Sequence, residues 1–274
     1  MKLAVTGKGG VGKTTVAGTL ARLFGRDGTK ILAVDADPNY NLWTSVGIEP
    51  ASAKSIKPLL EIDELVRERT DTPLVELLGT FFRLNPKVDD LASKYAVQGP
   101  DNVSLLVAGT VNVGGQGCMC PSASLLKSLI GHLALEGDEA FIMDMDAGIE
   151  NLGRGTTKGM DLLLVVVEPG MRSLETLDRI KGLAEDIGLN RVVAVANRVM
   201  DEEDHALVSE FVSNRKIPLV GVVPYDTELK RADALSRAPL DYCPNSSAMR
   251  AIVALKASIA QYLEEMPSSK MSAL

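Results

Sequence analysis

One stretch limits the choice of fold more than any other. Gly7-Lys8-Gly9-Gly10-Val11-Gly12-Lys13-Thr14-Thr15 follows the apolar run Leu3-Ala4-Val5 and leads into a segment with apolar residues at helical spacing, Val16, Leu20, Leu23 and Phe24, that stops at Gly25 and Gly28. Gly-x-x-x-x-Gly-Lys-Thr between a strand and a helix gives the backbone a concave path whose N–H groups face phosphate oxygens, because glycines reach φ values denied to side chains. The helix opening near Lys13 adds the positive end of its dipole. Gly9, Gly10, Val11, Gly12, Lys13, Thr14 and Thr15 are therefore the expected phosphate cradle, with Lys13 reaching the terminal phosphates and the Thr14 hydroxyl on Mg²⁺.

The next elements repeat the pattern. Lys30–Asp35 barely alternates and reads as a strand buried on both faces, so strand, helix and strand make a right-handed parallel crossover. Asp35 and Asp37 fall at its carboxyl end, the edge where open parallel sheets bind ligands, and spacing does not rank them. Further strands are predicted at Val103–Val107, Ala140–Asp144, Asp161–Val167, Val192–Ala196 and Leu219–Val223. Helices are predicted from Pro121, over Ser173–Ile187, Glu202–Arg215 and Ser247–Glu265. The class is α/β, a doubly wound, mainly parallel sheet with helices on both faces. Residues 1–274 read as one domain carrying a helical excursion at about 47–102, where Ile56–Arg69 and Leu74–Leu78 look helical between Pro58, Pro73, Pro86 and Pro100.

Asp144 closes an apolar strand, which puts its carboxylate beside the phosphate loop in a position to orient a Mg²⁺-bound water. The second lysine, Lys8, makes the loop resemble the deviant Walker A of the ParA/MinD, nitrogenase iron protein and arsenical-pump ATPases, a P-loop group. The resemblance implies an ATP-dependent homodimer in which Lys8 crosses to the partner's nucleotide and Lys8, Lys13 and Asp37 serve catalysis. Asp37 would position the attacking water, and Asp35 would stand in the outer shell of Mg²⁺. Asp144-Met-Asp146-Ala147-Gly148 is similar to the group's Asp-x-x-Ala-Gly switch, which makes the Gly148 amide the γ-phosphate sensor. The same resemblance places adenine between Asn197-Arg198 and Pro224-Tyr225-Asp226. The guanine-reading Asn-Lys-x-Asp is absent, which favours ATP. No nucleophile stands near these motifs, and neither His132 nor His205 does, so hydrolysis is expected to be slow and to act as a switch.

Cys118-Met-Cys120 sets this chain apart from a generic switch ATPase. Two thiolates offset by two residues can converge on one soft metal, and a twofold dimer would complete a Cys₄ site. With the Walker A and the Asp-Met-Asp-Ala-Gly run, and with Leu84-Asn85-Pro86-Lys87-Val88-Asp89, Gly148-Ile149-Glu150 and Arg154-Gly155-Thr156, the motif resembles the CooC-type ATPases. That implies nickel insertion into the apoenzyme of nickel carbon monoxide dehydrogenase. The residues do not choose the metal, since four thiolates suit Zn²⁺ or an iron–sulfur cluster as naturally as Ni²⁺. A ParA/MinD-like positioning ATPase and an iron–sulfur ATPase of the nitrogenase iron protein type are the alternatives. Cys243 has no partner in sequence.

Acidic residues outnumber basic ones, 36 to 29, for a net charge of −7, which argues against a nucleic-acid or anionic-membrane surface. No apolar stretch reaches spanning length, the amino terminus shows no cleavable signal, and three cysteines make no disulfide framework. The expected location is the cytoplasm, with no membrane and no nucleic-acid partner.

Overall fold

Strands without alternation need cover on both faces, and the sheet supplies it. Leu162–Val167, Leu-Leu-Leu-Val-Val-Val, is buried at all six positions, as is Ala140–Met145. The computed structural model describes residues 1–71, 83–109, 121–135, 140–146 and 160–265. Among these, eight strands form one sheet: β1 (Lys2–Thr6), β2 (Ile31–Ala36), β3 (Val97–Gln98), β4 (Val103–Val107), β5 (Ala140–Met145), β6 (Leu162–Val167), β7 (Val192–Val199) and β8 (Leu219–Pro224). Their order is β3-β4-β2-β5-β1-β6-β7-β8. All pairs are parallel except β3 with β4. The chain steps from β1 through β2 to β4 on one side and from β6 through β7 to β8 on the other. The carboxyl end of β1 is thus the crevice where such a sheet takes ligands.

Alternate strand residues feed two cores. On one face Leu3, Val5, Ala33 and Ile142 meet α1 (Lys13–Arg26), α2 (Leu42–Val46) and the helices near the carboxyl terminus, where Leu240, Met249, Ile252, Leu255 and Ile259 are buried. On the other, Ala4, Val34, Met143 and Val165 meet residues of the excursion, of the helix Pro121–Leu135, and of the helices Met171–Asp186 and Glu202–Asn214. In order, α3 is Pro50–Ala53, α4 Asp63–Thr70, α5 Leu91–Tyr95, α6 Pro121–Leu135, α7 Met171–Asp186, α8 Glu202–Asn214, α9 Thr227–Ala234, α10 Pro239–Tyr242 and α11 Ser247–Glu265. No described helix is long and apolar enough to cross a membrane.

Three details depart from the sequence reading. The first helix does not stop at Gly25 but runs through it to Arg26. A Cβ on Gly25 would lie 1.9 Å from the Asp101 carbonyl oxygen, so this glycine lets α1 settle on the β3–β4 turn instead of ending the helix. The predicted helix Ile56–Arg69 is broken into a 3₁₀ turn, Leu59–Glu61, and α4, because the chain reaches Leu59 in the extended conformation of Pro58 (ψ 136°). Finally, the antiparallel edge strand β3 is two residues long, too short to carry an alternation signal. The helical pattern at Leu74–Leu78 and the residues Cys118, Cys120 and Gly148 lie outside the described residues.

Candidate nucleotide site

The loop after β1 closes on itself before it can face a ligand. The Val11 N–H points at the Lys8 carbonyl at 3.4 Å, and Gly12 caps α1 with φ +95°, a left-handed conformation that favours glycine. A Cβ at Gly12 would also lie 2.4 Å from the Asn197 amide nitrogen. The reason is that Asn197, buried at the end of β7, donates from Nδ2 to the Val11 carbonyl at 2.7 Å. Asn197 therefore pins the loop from behind with one of its amide hydrogens.

Lys13 is buried, with Nζ 3.5 Å from the Lys8 carbonyl and 3.6 Å from Asp37 Oδ2. Asp37 is fixed through its other oxygen, which accepts from the backbone N–H of Asn39 at 3.0 Å and its side-chain amide at 2.9 Å. Thr14, one residue into α1, donates its hydroxyl to Asp144 Oδ2 at 2.6 Å. Register explains the meeting: Val5 of β1 pairs with Asp144 of β5, and Asp35 of β2 pairs with Asp144 from the other side.

These carboxylates are electrostatically costly. Burial, the nearby Asp35 charge and, more weakly, Asp37 push Asp144 up to about 8 against the opposing pull of Thr14 and Lys13. Burial likewise pushes Asp35 up to about 7, although its oxygens accept from the N–H groups of Leu42 at 2.9 Å and Asp37 at 3.1 Å. Asp35 thus ties the turn after β2 to the start of α2. Asp144 Oδ1 has no hydrogen-bond partner and is fully buried. An orphaned carboxylate oxygen beside a hydroxyl with free lone pairs fits a hydrated divalent cation, so Thr14 and Asp144 suit the Mg²⁺ that a nucleotide carries.

A cleft of about 740 Å³ opens here, lined by Gly9, Gly10, Gly12, Lys13, Thr14, Thr15, Asp37, Asn197, Arg198, Pro224, Tyr225 and Asp226. It gathers most of the predicted site residues at one sheet edge. Lys8 is half-buried at its loop, while Val11 is buried and contributes backbone. Arg198 has φ +60° at a break in the β7–β8 register and reaches Glu168 at 3.4 Å. Asp226 lines the cleft while doing structural work. Although partial burial acts against it, the N–H groups of Ala248 and Glu228 and the nearby Ser246 and Ser247 hydroxyls hold its carboxyl below the usual range. Its oxygens cap α9 and α11 together.

Two walls escaped the sequence reading. Asn39, Asn41, Trp43, Thr44 and Ser45 form one, and Leu229, Lys230, Asp233 and Ser236 on and just after α9 form the other. Asn39-Tyr-Asn41 directly after Asp37-Pro38 was a readable signal, whereas α9 reaches the cleft only through the tertiary fold.

Residues 2–240 match the CobQ/CobB/MinD/ParA nucleotide-binding domain family. The chain belongs to that family. It is 39% identical to the carbon monoxide dehydrogenase accessory protein CooC of Rhodospirillum rubrum over 89% of this chain and 91% of that one. It is 42% identical to an uncharacterised ATP-binding protein of Methanocaldococcus jannaschii over 86% of this chain and 90% of that one. The MinC:MinD complex of Aquifex aeolicus shares the fold, with a TM-score of 0.67 at 21% identity, covering 95% of this chain and 96% of that chain. This family member is an ATP-binding, CooC-type ATPase with the doubly wound sheet expected of it.

Proposed function

We propose that this ATPase is a metallochaperone that binds nickel between two copies of itself and helps insert it into the apoenzyme of carbon monoxide dehydrogenase. The reading is carried by identity to CooC that runs through nearly the whole of both chains, not through the phosphate loop alone. In this reading 1–274 act as one ATPase unit with the excursion at 47–102 part of it. Cys118 and Cys120 from each copy supply four thiolates for Ni²⁺, with Zn²⁺ able to take its place.

The cleft supports slow, switch-type hydrolysis. Its lining contains no histidine or cysteine among the described residues, and Asp37 and Lys13 hold each other at 3.6 Å. Binding the triphosphate means exchanging that pair, which frees Lys13 for the terminal phosphates and Asp37 for the attacking water. Thr14 would hold Mg²⁺ and Asp144 would orient a water bound to it, and the ion would supply charge neutralisation at the phosphates. Lys8 and the Gly148 amide are the groups assigned to the partner's nucleotide and to γ-phosphate sensing. Asn197-Arg198 and Pro224-Tyr225-Asp226 would flank the adenine, and the proposed compartment is the cytoplasm.

A nickel titration with and without Mg-ATP, followed by light scattering, tests the proposal. One nickel per dimer is expected for the wild type, with loss of that site in Cys118→Ala/Cys120→Ala. Equal nickel affinity in the double variant would refute it.

A further inference from the structure

Asp37 has two tasks in the proposed hydrolysis, and they pull against each other. It must release Lys13 when the triphosphate arrives, and it must not turn as the lysine leaves, because a displaced carboxylate could not direct a water at the phosphate. What holds Asp37 decides whether the exchange leaves a working site.

Distances sort its partners into two classes. Lys13 Nζ stands 3.6 Å from Asp37 Oδ2, close enough for charge attraction but beyond a hydrogen bond. On the opposite oxygen, Oδ1, Asn39 donates twice, from its backbone N–H at 3.0 Å and from its side-chain Nδ2 at 2.9 Å. Two directional bonds on one oxygen fix the plane of the carboxylate, and a long ion pair on the other does not. Asn39 therefore sets the orientation of Asp37, and that orientation outlasts the departure of Lys13.

The backbone beneath is fixed as well. Asp35 is completely buried and accepts from the Asp37 N–H through Oδ1 at 3.1 Å and from the Leu42 N–H through Oδ2 at 2.9 Å, so one carboxylate ties both ends of residues 37–42. Leu42 opens α2, which is seated closely on α1: a Cβ on Gly18 would lie 2.5 Å from Ser45 Cβ. The Tyr40 N–H closes the turn on the Asp37 carbonyl at 3.2 Å. Within this frame the Asn39 side chain stands apart. It is exposed, lines the cleft and contributes to neither core, and its amide is spent on the carboxylate that faces Lys13. Neutrality suits an amide to that place. A lysine here would compete with Lys13 for Asp37, and a carboxylate would repel it.

We propose that Asn39 is a positioning residue for hydrolysis: by holding Asp37 Oδ1 it keeps Oδ2 aimed at the attacking water while Lys13 moves to the phosphates. The inference rests on the reading of Asp37 as the group that positions that water. Phosphate release by the full chain with Mg-ATP tests it in the wild type, Asn39→Ala, Asp37→Ala and the double variant. Asn39→Ala keeps the backbone N–H bond and loses the side-chain bond, so kcat is expected to fall about tenfold, the worth of one hydrogen bond to a charged group. KM, which equals the dissociation constant when chemistry is slow, should not change. ATP affinity is read independently from the emission of Trp43, the single tryptophan, which lines the cleft. Asn39→Ser, which retains a side-chain donor, recovers part of the loss, and Asn39→Asp is at least as slow as Asn39→Ala. In the Asp37→Ala background Asn39→Ala changes nothing further, because the carboxylate it acts through is gone.

A wild-type kcat in Asn39→Ala overturns the inference. A loss carried by KM, or one of equal size with and without the Asp37 carboxylate, overturns it too, since Asn39 would then act on the nucleotide itself. Wild-type hydrolysis in Asp37→Ala sinks the reading of Asp37 on its own account, whatever Asn39 does, so the two failures are distinguishable.

Discussion

The phosphate end of the sheet and the excursion spend their side chains in opposite ways. At the carboxyl ends of β1, β2 and β5, two carboxylates are buried within reach of each other, one of their oxygens has no partner, and a buried lysine is paired with Asp37. In the excursion the forked Arg69–Asp90 pair satisfies its charges mutually at a part-buried position, although Arg69 Nε is left without a hydrogen-bond partner, and the buried side chains include Leu59, Leu65, Val66 and Leu91. The first region is arranged for a charged ligand and costs the free protein stability; the second supplies stability and holds other parts in place. Perturbing the first should change chemistry and leave folding intact, or improve it. Perturbing the second should do the reverse.

Lys13→Ala is the strongest attempt to break that contrast. Removing the buried ammonium that the proposed mechanism assigns to the terminal phosphates is expected to lower ATP hydrolysis by about 100- to 1,000-fold. It removes no apolar core contact, and Asp37 keeps its hydrogen bonds from Asn39, so the urea midpoint should fall far less than the activity does. Phosphate release and denaturation measured on the same preparation decide the matter. A variant that unfolds early would show that Lys13 is structural and erase the distinction.

Leu91→Ala approaches from the other region. Leu91 is completely buried in the core shared with α6, and truncating such a leucine costs about 3 kcal/mol in transfer and cavity terms. Urea unfolding should show that loss while Trp43 emission reports unchanged ATP affinity. A marked drop in affinity would mean that the excursion shapes the cleft directly and that the division is drawn in the wrong place.

The same contrast explains what could be read from the chain beforehand. Glycine spacing, a threonine and an aspartate at a strand end are local signals, so Lys13, Thr14 and Asp144 could be assembled before any coordinates. The sheet was legible because buried parallel strands are continuous apolar runs such as Leu162–Val167. The excursion resisted because its elements are short and its order comes from partners far along the chain: Ser124 with Leu84, Leu60 with Ala108, Gly25 with Asp101. Asn197 was found as a site residue, but its grip on the Val11 carbonyl was not, since nothing in a strand-end asparagine says which backbone it will meet. Asp226 taught the same lesson, being a double helix cap as well as a cleft residue.

A smaller effect sharpens the comparison through pH. Asp144 and Asp35 hold their protons more tightly folded, at about 8 and about 7, than in the unfolded chain near the ordinary value of 3.8. Between those limits the folded protein carries more protons than the unfolded one, so raising the pH strips them at the expense of the folded state. The nucleotide-free protein should therefore lose stability from about pH 4 to about pH 8, with a flat response above. Asp144→Asn removes the larger share of that slope and should be more stable than the wild type at pH 8.5. Saturating Mg-ATP should also flatten the wild-type slope, because a cation beside Asp144 favours its charged form. Urea midpoints taken across this range test all three statements. A wild type whose stability rises from pH 5 to pH 8 would mean that the buried carboxylates are charged and satisfied in the free protein, and the phosphate end would then resemble the excursion after all.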